Sequence, residues 1–463
     1  MSRILDRRHT AMMLSVVFFA TFMDGLDGSI VTVALPDIGA GFGIDTATAS
    51  WVTITYMMIL AGTLVMFARI AADTGVRRVM AAGLSIFTVG SLACGLSPTF
   101  EVLIASRAVQ AVGAGMMAAA GPMCCTEHLP PEKLAFGLSI VTIGASLGFA
   151  IGPAIGGIMV DYIDWNWIFL INVPLGVAVA PIILKAIPAE RRDADNPPID
   201  YRGAAVLFAA IALITFSVET LSYSAQRLLS AATGIIGIAM LALFAKLESS
   251  TEHPLLKVSL FRRFDFASIF ICLMLVNMTF MGILYLFPFY GEICLGMSST
   301  EVGIYMFISA LITAVFGMPF AKWSDNAGRR WFCVASGLFL VIALVLLAVF
   351  TRDMNNIIVF TIMAVMGLSW ACVGGPMASR LVEHAGDERD MASSLTNEGY
   401  YTGGTIGLAL CAMLFTIFSG TDGIDIQNVS AAAFENGFAP AMAIMAVLAL
   451  VVVVLSAVVK DDE

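Results

Sequence analysis

Long blocks of apolar residues, separated by short polar connections, recur along the whole chain. Fourteen blocks can be placed, each close to the roughly 20 residues that an α-helix needs to cross a ~30 Å hydrocarbon core. The pattern therefore predicts an all-α membrane protein with fourteen transmembrane spans. In order, these are residues 11–35, 47–70, 79–97, 102–126, 135–160, 166–187, 203–222, 228–247, 266–290, 301–321, 331–350, 357–378, 392–418 and 437–459.

The composition supports a membrane protein. Hydrophobic residues make up 59% of the chain and charged residues 13%, against about 45–50% and 25% in soluble domains. The eight cysteines fall in apolar stretches without the spacing of a metal site or a disulfide framework. No phosphate-binding GxxxxGK[ST] segment occurs. We therefore expect no metal, no other cofactor, no ATP and no nucleic acid as partners.

The basic residues predict the orientation of the spans. With a cytoplasmic N-terminus, all but three of the 24 lysines and arginines fall on the cytoplasmic side, the exceptions being Arg107, Arg227 and Arg352. This distribution follows the positive-inside rule. The basic start leads into a block that carries Asp24 and Asp27 rather than a cleavage site, which indicates a retained span. We expect a multi-pass protein of the inner (plasma) membrane with both termini in the cytoplasm.

A short motif occurs twice. Asp73 is followed four and five residues later by Arg77 and Arg78 in the loop after span 2, and the stretch 325–330 repeats Asp-x-x-x-Arg-Arg after span 10. Internal repeats of this kind are typical of secondary transporters. The repeat predicts a six-helix bundle over 1–187, a linker with two extra spans over 188–265, and a second six-helix bundle over 266–463.

Several longer segments resemble one family. Residues 26–36 read LDGSIVTVALP in span 1, residues 165–176 read WNWIFLINVPLG at span 6, and a loop resemblance begins at 253. Together with a glycine motif in span 5, these resemble the major facilitator superfamily, specifically its 14-helix drug:proton antiporter branch of multidrug exporters. The resemblance covers nearly the whole chain. It implies a monomeric carrier of small molecules and protons, surrounded by membrane lipid, with the proton gradient as its energy source.

Span 5 contains the antiporter motif of that branch. Its small residues recur mainly every four positions, so they share a helix face that a neighbouring backbone can approach closely. The proline removes a backbone donor and weakens the helix there. The stripe is either ordinary tight packing or a gate interface that opens. The residues are Gly144, Gly148, Gly152, Pro153, Gly156 and Gly157.

The repeated loops resemble the cytoplasmic gate of the family, which stabilises the state closed to the cytoplasm. The second copy, with Asp325, Gly328, Arg329 and Arg330, matches the family motif well. In the first copy, non-glycine residues stand at two glycine positions, so the resemblance carries over to Asp73, Arg77 and Arg78 only in part. Arginines that merely set the topology are the alternative.

Ionisable residues within the spans are functional candidates, because burying charge in a bilayer is costly. Asp24 and Asp27 are three residues apart and share a face of span 1. Arg107 lies in span 4, in a run that resembles the family's RxxQGxG motif. In the family both spans line the central cavity, so we expect Arg107 to reach Asp27. The pair either exchanges protons during transport or holds two helices together, and Asp24, which lies outside the family signature, is a candidate for substrate preference.

Glu398 is a further candidate, in a stretch at 397–407 that resembles the family's NTxRQLGGAxG, with Tyr400 replacing the arginine. It is either a second proton or cation site or part of an inner-leaflet polar patch. The favoured function is proton-coupled export of amphipathic or cationic small molecules. Export of one endogenous metabolite, such as a siderophore, lipid or amino acid, is the alternative. A membrane enzyme or a sensor is disfavoured, because no catalytic cluster or soluble signalling domain is evident.

Overall fold

A computed structural model describes residues 7–44, 46–129, 131–188, 200–220, 227–251, 254, 256–386, 389–421 and 426–459. These residues form sixteen α-helices, labelled α1 to α16 in chain order. Their bounds are Arg7–Phe42, Thr46–Thr74, Val76–Gly95, Phe100–His128, Pro131–Tyr162, Trp167–Leu170, Asn172–Ala186, Tyr201–Thr220, Arg227–Ser250, Phe264–Leu295, Ser299–Ala327, Arg329–Val349, Asn356–Val373, Pro376–Glu383, Arg389–Ser419 and Ala431–Val458.

The helices provide fourteen segments that are long and apolar enough to cross a membrane, which confirms the predicted number over the described residues. α6 and α7 together form the sixth segment, and α13 and α14 form the twelfth. Because successive segments run in opposite directions, α1 begins and α16 ends at the same face of the bundle. We call this the terminal face, and the other the distal face.

Polar residues cap several helices where the chain turns back. Ser298 starts α11 with a capping box, in which its hydroxyl accepts from the Glu301 amide and Glu301 reaches back. Asn355 accepts from two amides at the start of α13, and Ser430 caps α16. These bonds satisfy amide groups that have no partner within the helix.

The turns at the two repeated motifs have the same geometry. Gly75 separates α2 from α3 with φ 100°, and Gly328 separates α11 from α12 with φ 92°. Glycine adopts such positive φ angles readily because it has no Cβ atom, whereas other residues rarely do. Both copies therefore lie in equivalent turns between long helices, as predicted.

The two copies of the motif are offset by one residue relative to their turn glycines. When the chains are matched at the turn glycines, Asp73 corresponds to Asn326 rather than to Asp325, and Arg77 corresponds to Arg330. The turn requires glycine at one position, whereas the residues around it are less constrained. Gly75 therefore stands two residues after Asp73, and Gly328 stands three residues after Asp325.

The two extra helices, α8 and α9, lie beside the seam between α2 and α15. A Cβ atom on Gly62 of α2 would overlap the ring of Phe208 in α8, and Leu207 and Ile211 form a buried cluster with Ala61. α9 packs on α8 and leaves most of its own surface exposed. The α8–α9 pair is therefore an addition to the side of the bundle.

The glycine motif packs α5 against α1 and against α11. Cβ atoms at Gly144, Gly148 and Gly152 would overlap atoms of α1, including backbone carbonyls at the first two positions. Gly157 instead lies against the backbone of Ser299, in the other half of the chain. The motif thus places the backbone of α1, which carries Asp24 and Asp27, directly on α5.

Replacing Gly148 with alanine is expected to destabilise the protein by about 1–3 kcal/mol, as overpacking typically does. The added methyl group would overlap the Phe22 carbonyl oxygen, which is helix backbone and cannot move aside cheaply. Gly317→Ala in α11 is the matched control, because its Cβ meets no atom within 4 Å. Thermal unfolding in detergent measures both variants, and equal losses would contradict the packing role of Gly148.

Candidate functional site

A buried ion pair lies inside the N-terminal helices. Nη1 of Arg107 in α4 lies 2.5 Å from Oδ2 of Asp27 in α1, and both side chains are completely buried. The expected contact between span 1 and span 4 is therefore present. The residues are 80 positions apart, so the pair joins two helices that are distant in sequence.

Neutral polar groups complete the shell around this pair. Nε2 of Gln110 donates to Oδ1 of Asp27 at 2.8 Å, and Nδ2 of Asn172 donates to the same oxygen at 3.1 Å. Arg107 also donates from Nε to the Val52 carbonyl at 3.0 Å and from Nη1 to the Gln110 side chain at 2.7 Å. Asp27 thus accepts bonds from α4 and α7, while Arg107 reaches the backbone of α2.

These bonds determine what the pair can do chemically. Two charges taken out of water lose much hydration, and their attraction offsets that loss only when hydrogen bonds satisfy their remaining atoms. Here Asp27 accepts three hydrogen bonds, whereas Nη2 of Arg107 has no partner among the described residues. A carboxylate in such a shell changes its affinity for a proton when the helices around it move, because desolvation and nearby cations act in opposite directions.

A second carboxylate connects this pair to the opposite half of the chain. Asp24 is 7% exposed and accepts a hydrogen bond from the Tyr56 hydroxyl at 2.7 Å. Its other oxygen accepts from the Tyr401 hydroxyl of α15 at 2.5 Å. The guanidinium carbon of Arg107 lies 4.2 Å from the centre of the Tyr56 ring. A continuous set of contacts therefore runs from α15 through Asp24 and Tyr56 to the ion pair.

Glu398 lies in α15 apart from these contacts. It is 6% exposed, and one carboxyl oxygen accepts from the Thr402 hydroxyl at 3.1 Å. Its other oxygen is buried without a hydrogen-bond partner among the described residues. The structure therefore places this candidate in the helix that also carries Tyr401, but in separate hydrogen bonds.

Three candidate gate arginines at the terminal face make contacts within their own half of the chain. Arg329 pairs with Glu383 of α14, and Arg330 donates to the carbonyl of Ala457 in α16. In the first copy, Arg78 donates to the Thr74 carbonyl at 3.4 Å. Asp73, Arg77 and Gly328 are the other described members of the predicted gate. The side chain of its last member, Asp325, lies outside the described part of the structure.

The two halves are joined at the distal face. The carboxylate of Asp161, near the end of α5, accepts from the Thr300 amide at 3.1 Å and from its hydroxyl at 2.5 Å. One turn further into α11, a Cβ atom on Gly303 would overlap the Pro153 carbonyl of α5. The structure is therefore closed between α5 and α11 at the distal face.

The sequence analysis identified none of the four neutral side chains that bond to Asp24 and Asp27. These are Tyr56, Tyr401, Gln110 and Asn172. Gln110 and Asn172 fall inside the segments used for the family resemblance, so the motifs contained a signal for them. Tyr401 lies beside Tyr400 in a recognised stretch, but its contact with Asp24 spans 377 residues. Tyr56 has no local signal, because a tyrosine in an apolar helix is common.

Comparisons with known proteins agree with the helix arrangement. The family model described as Major Facilitator Superfamily matches residues 17–408 and 269–462. The riboflavin transporter RibZ of Clostridioides difficile is 28% identical over 80% of this chain and 80% of the relative. A multidrug resistance protein B homolog of Mycobacterium tuberculosis is 30% identical over 87% of this chain and 75% of the relative.

Among solved structures, a bacterial homolog of the human lysosomal transporter Spinster has a TM-score of 0.68 at 14% sequence identity. The match covers 98% of each chain. At this identity the likeness concerns the fold, and it extends over almost the whole length of both proteins.

Proposed function

The chain belongs to the Major Facilitator Superfamily of membrane transporters, and we propose that it is a proton-coupled antiporter that exports amphipathic or cationic small molecules. In this proposal protons enter the cell as the substrate leaves, through alternating access between two six-helix halves. The protein uses the proton gradient, needs no cofactor and works as a monomer in the plasma membrane.

The observation that carries the proposal is the buried Asp27–Arg107 pair. An intramembrane charge is costly and is usually retained for function. Asp27 can exchange a proton when movement of α1 or α4 changes its contacts, and Glu398 is proposed as a second proton site because one of its buried oxygens has no partner. The multidrug resistance name of one relative supports drug-like cargo.

The orientation follows from the basic residues. If both termini are cytoplasmic, as the positive-inside rule indicates, the closed distal face is the outer face. Export then requires separation of α5 from α11 at Asp161 and Thr300.

Cysteines introduced together at Asp161 and Thr300 are expected to form a disulfide that arrests transport. Their side chains are in contact in the closed state, so oxidation would hold the distal face shut, and reductant should restore the rate. The assay is dye efflux from vesicles, with each single cysteine variant as the control. Unchanged efflux in a fully cross-linked sample would exclude opening at this seam.

Asp24 is proposed to bind the cationic part of the substrate. Within the described residues it forms no ion pair with a basic side chain, and its partners are phenols from both halves. A cation that reaches the carboxylate would compete with the Tyr401 bond and so would favour separation of the halves. The same geometry places an aromatic ring beside the charge, which also favours organic cations.

Asp24→Asn is expected to weaken the apparent affinity for a cationic dye about tenfold, since bonds to charged groups contribute ~1.5–3 kcal/mol. An uncharged substrate should be affected much less, because it does not need the carboxylate. Glu101→Gln, at an exposed carboxylate in the first turn of α4, is the control. An equal loss for charged and neutral substrates would contradict cation recognition by Asp24.

A dedicated exporter of one endogenous metabolite is the second candidate, and the name of the riboflavin transporter relative favours it. Efflux from energised cells distinguishes the two. Competition among several unrelated cations supports a polyspecific antiporter, whereas transport of one compound with no cation competition supports the dedicated exporter.

A further inference from the structure

A basic cavity lies where the extra helices join the C-terminal helices. It is an open depression with a volume of about 690 Å³. One wall is the last turn of α9, and the other is the segment that leads to α10. Both walls belong to the terminal face. Three basic and three hydroxyl side chains line it: Lys246, Lys257, Arg262, Ser249, Thr251 and Ser259.

The wall opposite α9 is held in place by buried contacts. Residues 258–262 form a short 3-10 helix, in which Leu260 is only 3% exposed. The neighbouring Phe261 ring packs edge-on against Phe266 of α10, with centroids 5.4 Å apart. The basic side chains of this segment are therefore carried by a backbone that is fixed to the C-terminal helices.

The charge of the cavity favours an anion. Among the described residues of its lining, Glu248 is the one acidic side chain; it is 2% exposed and accepts a hydrogen bond from the Leu256 amide at 3.0 Å. Lys246, Lys257 and Arg262 outnumber it among these residues, and all three are exposed. Cations and hydroxyl groups together are the groups that bind phosphate, and basic pockets beside transmembrane helices take lipid headgroups.

An apolar ridge leads from the membrane to this cavity. Leu229, Ile236 and Leu243 follow each other every seven residues along α9 and are 53%, 50% and 45% exposed. A spacing of seven keeps them on nearly the same helix face. Lys246 lies one turn beyond the last of them. The ridge provides a surface for acyl chains directly beside the basic lining.

We propose that this cavity binds the phosphate headgroup of an anionic glycerophospholipid, whose acyl chains lie along the exposed ridge of α9. The bound lipid connects α9 to the 3-10 helix and so attaches the α8–α9 pair to the C-terminal helices. This site is independent of the proposed transport reaction, because none of its residues belongs to the contacts around Asp24 and Asp27.

The test is thermal unfolding of the purified full-length protein in detergent, titrated with phosphatidylglycerol, phosphatidylcholine or glycerol 3-phosphate. Phosphatidylglycerol is expected to raise the unfolding midpoint up to a plateau. Phosphatidylcholine and glycerol 3-phosphate are expected to raise it only weakly. Lys246→Gln/Arg262→Gln should weaken the phosphatidylglycerol effect about 25-fold, at roughly fivefold, or ~1 kcal/mol, per basic residue near the surface.

Lys185→Gln, which removes an exposed basic residue at the terminal end of α7, should leave the titration unchanged. Both variants should unfold at the wild-type midpoint without lipid, because the replaced residues are exposed. An unchanged titration in the double variant would overturn the proposal. If phosphatidylcholine raised the midpoint as much as phosphatidylglycerol does, binding would not depend on the headgroup charge. If glycerol 3-phosphate did so, the acyl chains would have no role.

Discussion

Arg107→Met is expected to lower the free energy of unfolding by about 3–5 kcal/mol, the usual cost of removing one partner of a buried ion pair. The substitution leaves the Asp27 carboxylate buried without its cation, and the Val52 carbonyl and the Gln110 side chain lose a donor. Methionine fills similar space, so the loss reflects charge more than volume. Denaturant unfolding in detergent, followed by tryptophan fluorescence, measures it.

A double-mutant cycle separates the pair from its surroundings. Because Asp27→Asn removes the charge that Arg107→Met leaves unpaired, the double variant should lose less stability than the sum of the single variants. Contacting residues typically show coupling of about 0.5–3 kcal/mol. Additive losses would mean that Asp27 and Arg107 do not stabilise each other.

Asp27→Asn is expected to reduce proton movement coupled to substrate by at least about tenfold, a change of ~1.4 kcal/mol or more. Asparagine keeps an oxygen that can accept from Gln110 and Asn172, but it cannot take up a proton as a carboxylate does. Exchange of substrate across the membrane without a gradient should persist, because alternating access does not itself require the proton.

Two comparisons make this prediction specific. Glu398→Gln tests the other proposed proton site, and a loss there of similar size would show that the two carboxyl groups act together. Glu101→Gln, at an exposed residue of α4, should leave coupling intact. Full coupled transport by Asp27→Asn would remove Asp27 from the proton pathway.

The fourteen spans could be predicted from the sequence because a membrane imposes a simple requirement. Every backbone polar group in lipid must be satisfied internally, so a spanning segment must be a long apolar helix. Local signals also sufficed for the glycine face of α5, where the four-residue spacing of Gly144, Gly148 and Gly152 determines which face a neighbouring backbone can approach closely.

The contacts of the site depended on the tertiary structure. Arg107 was expected to reach Asp27, yet the partners of Asp24 come from α2 and α15, and no pattern near residue 24 indicates them. Tyr401 reaches Asp24 only because the two halves pack together. The one-residue offset of the two repeated motifs, by contrast, is visible in the sequence, because Gly75 follows Asp73 by two residues and Gly328 follows Asp325 by three.

The most direct test of proton-coupled antiport uses the purified protein in liposomes that contain a pH-sensitive dye. A cationic substrate and an imposed pH gradient are applied separately and together, and both fluxes are recorded. We expect substrate to move against the direction of proton flow, each flux to require the other, and a protonophore to abolish substrate accumulation. Substrate transport that does not depend on the pH gradient, with no proton movement when substrate is added, would contradict the proposed antiport.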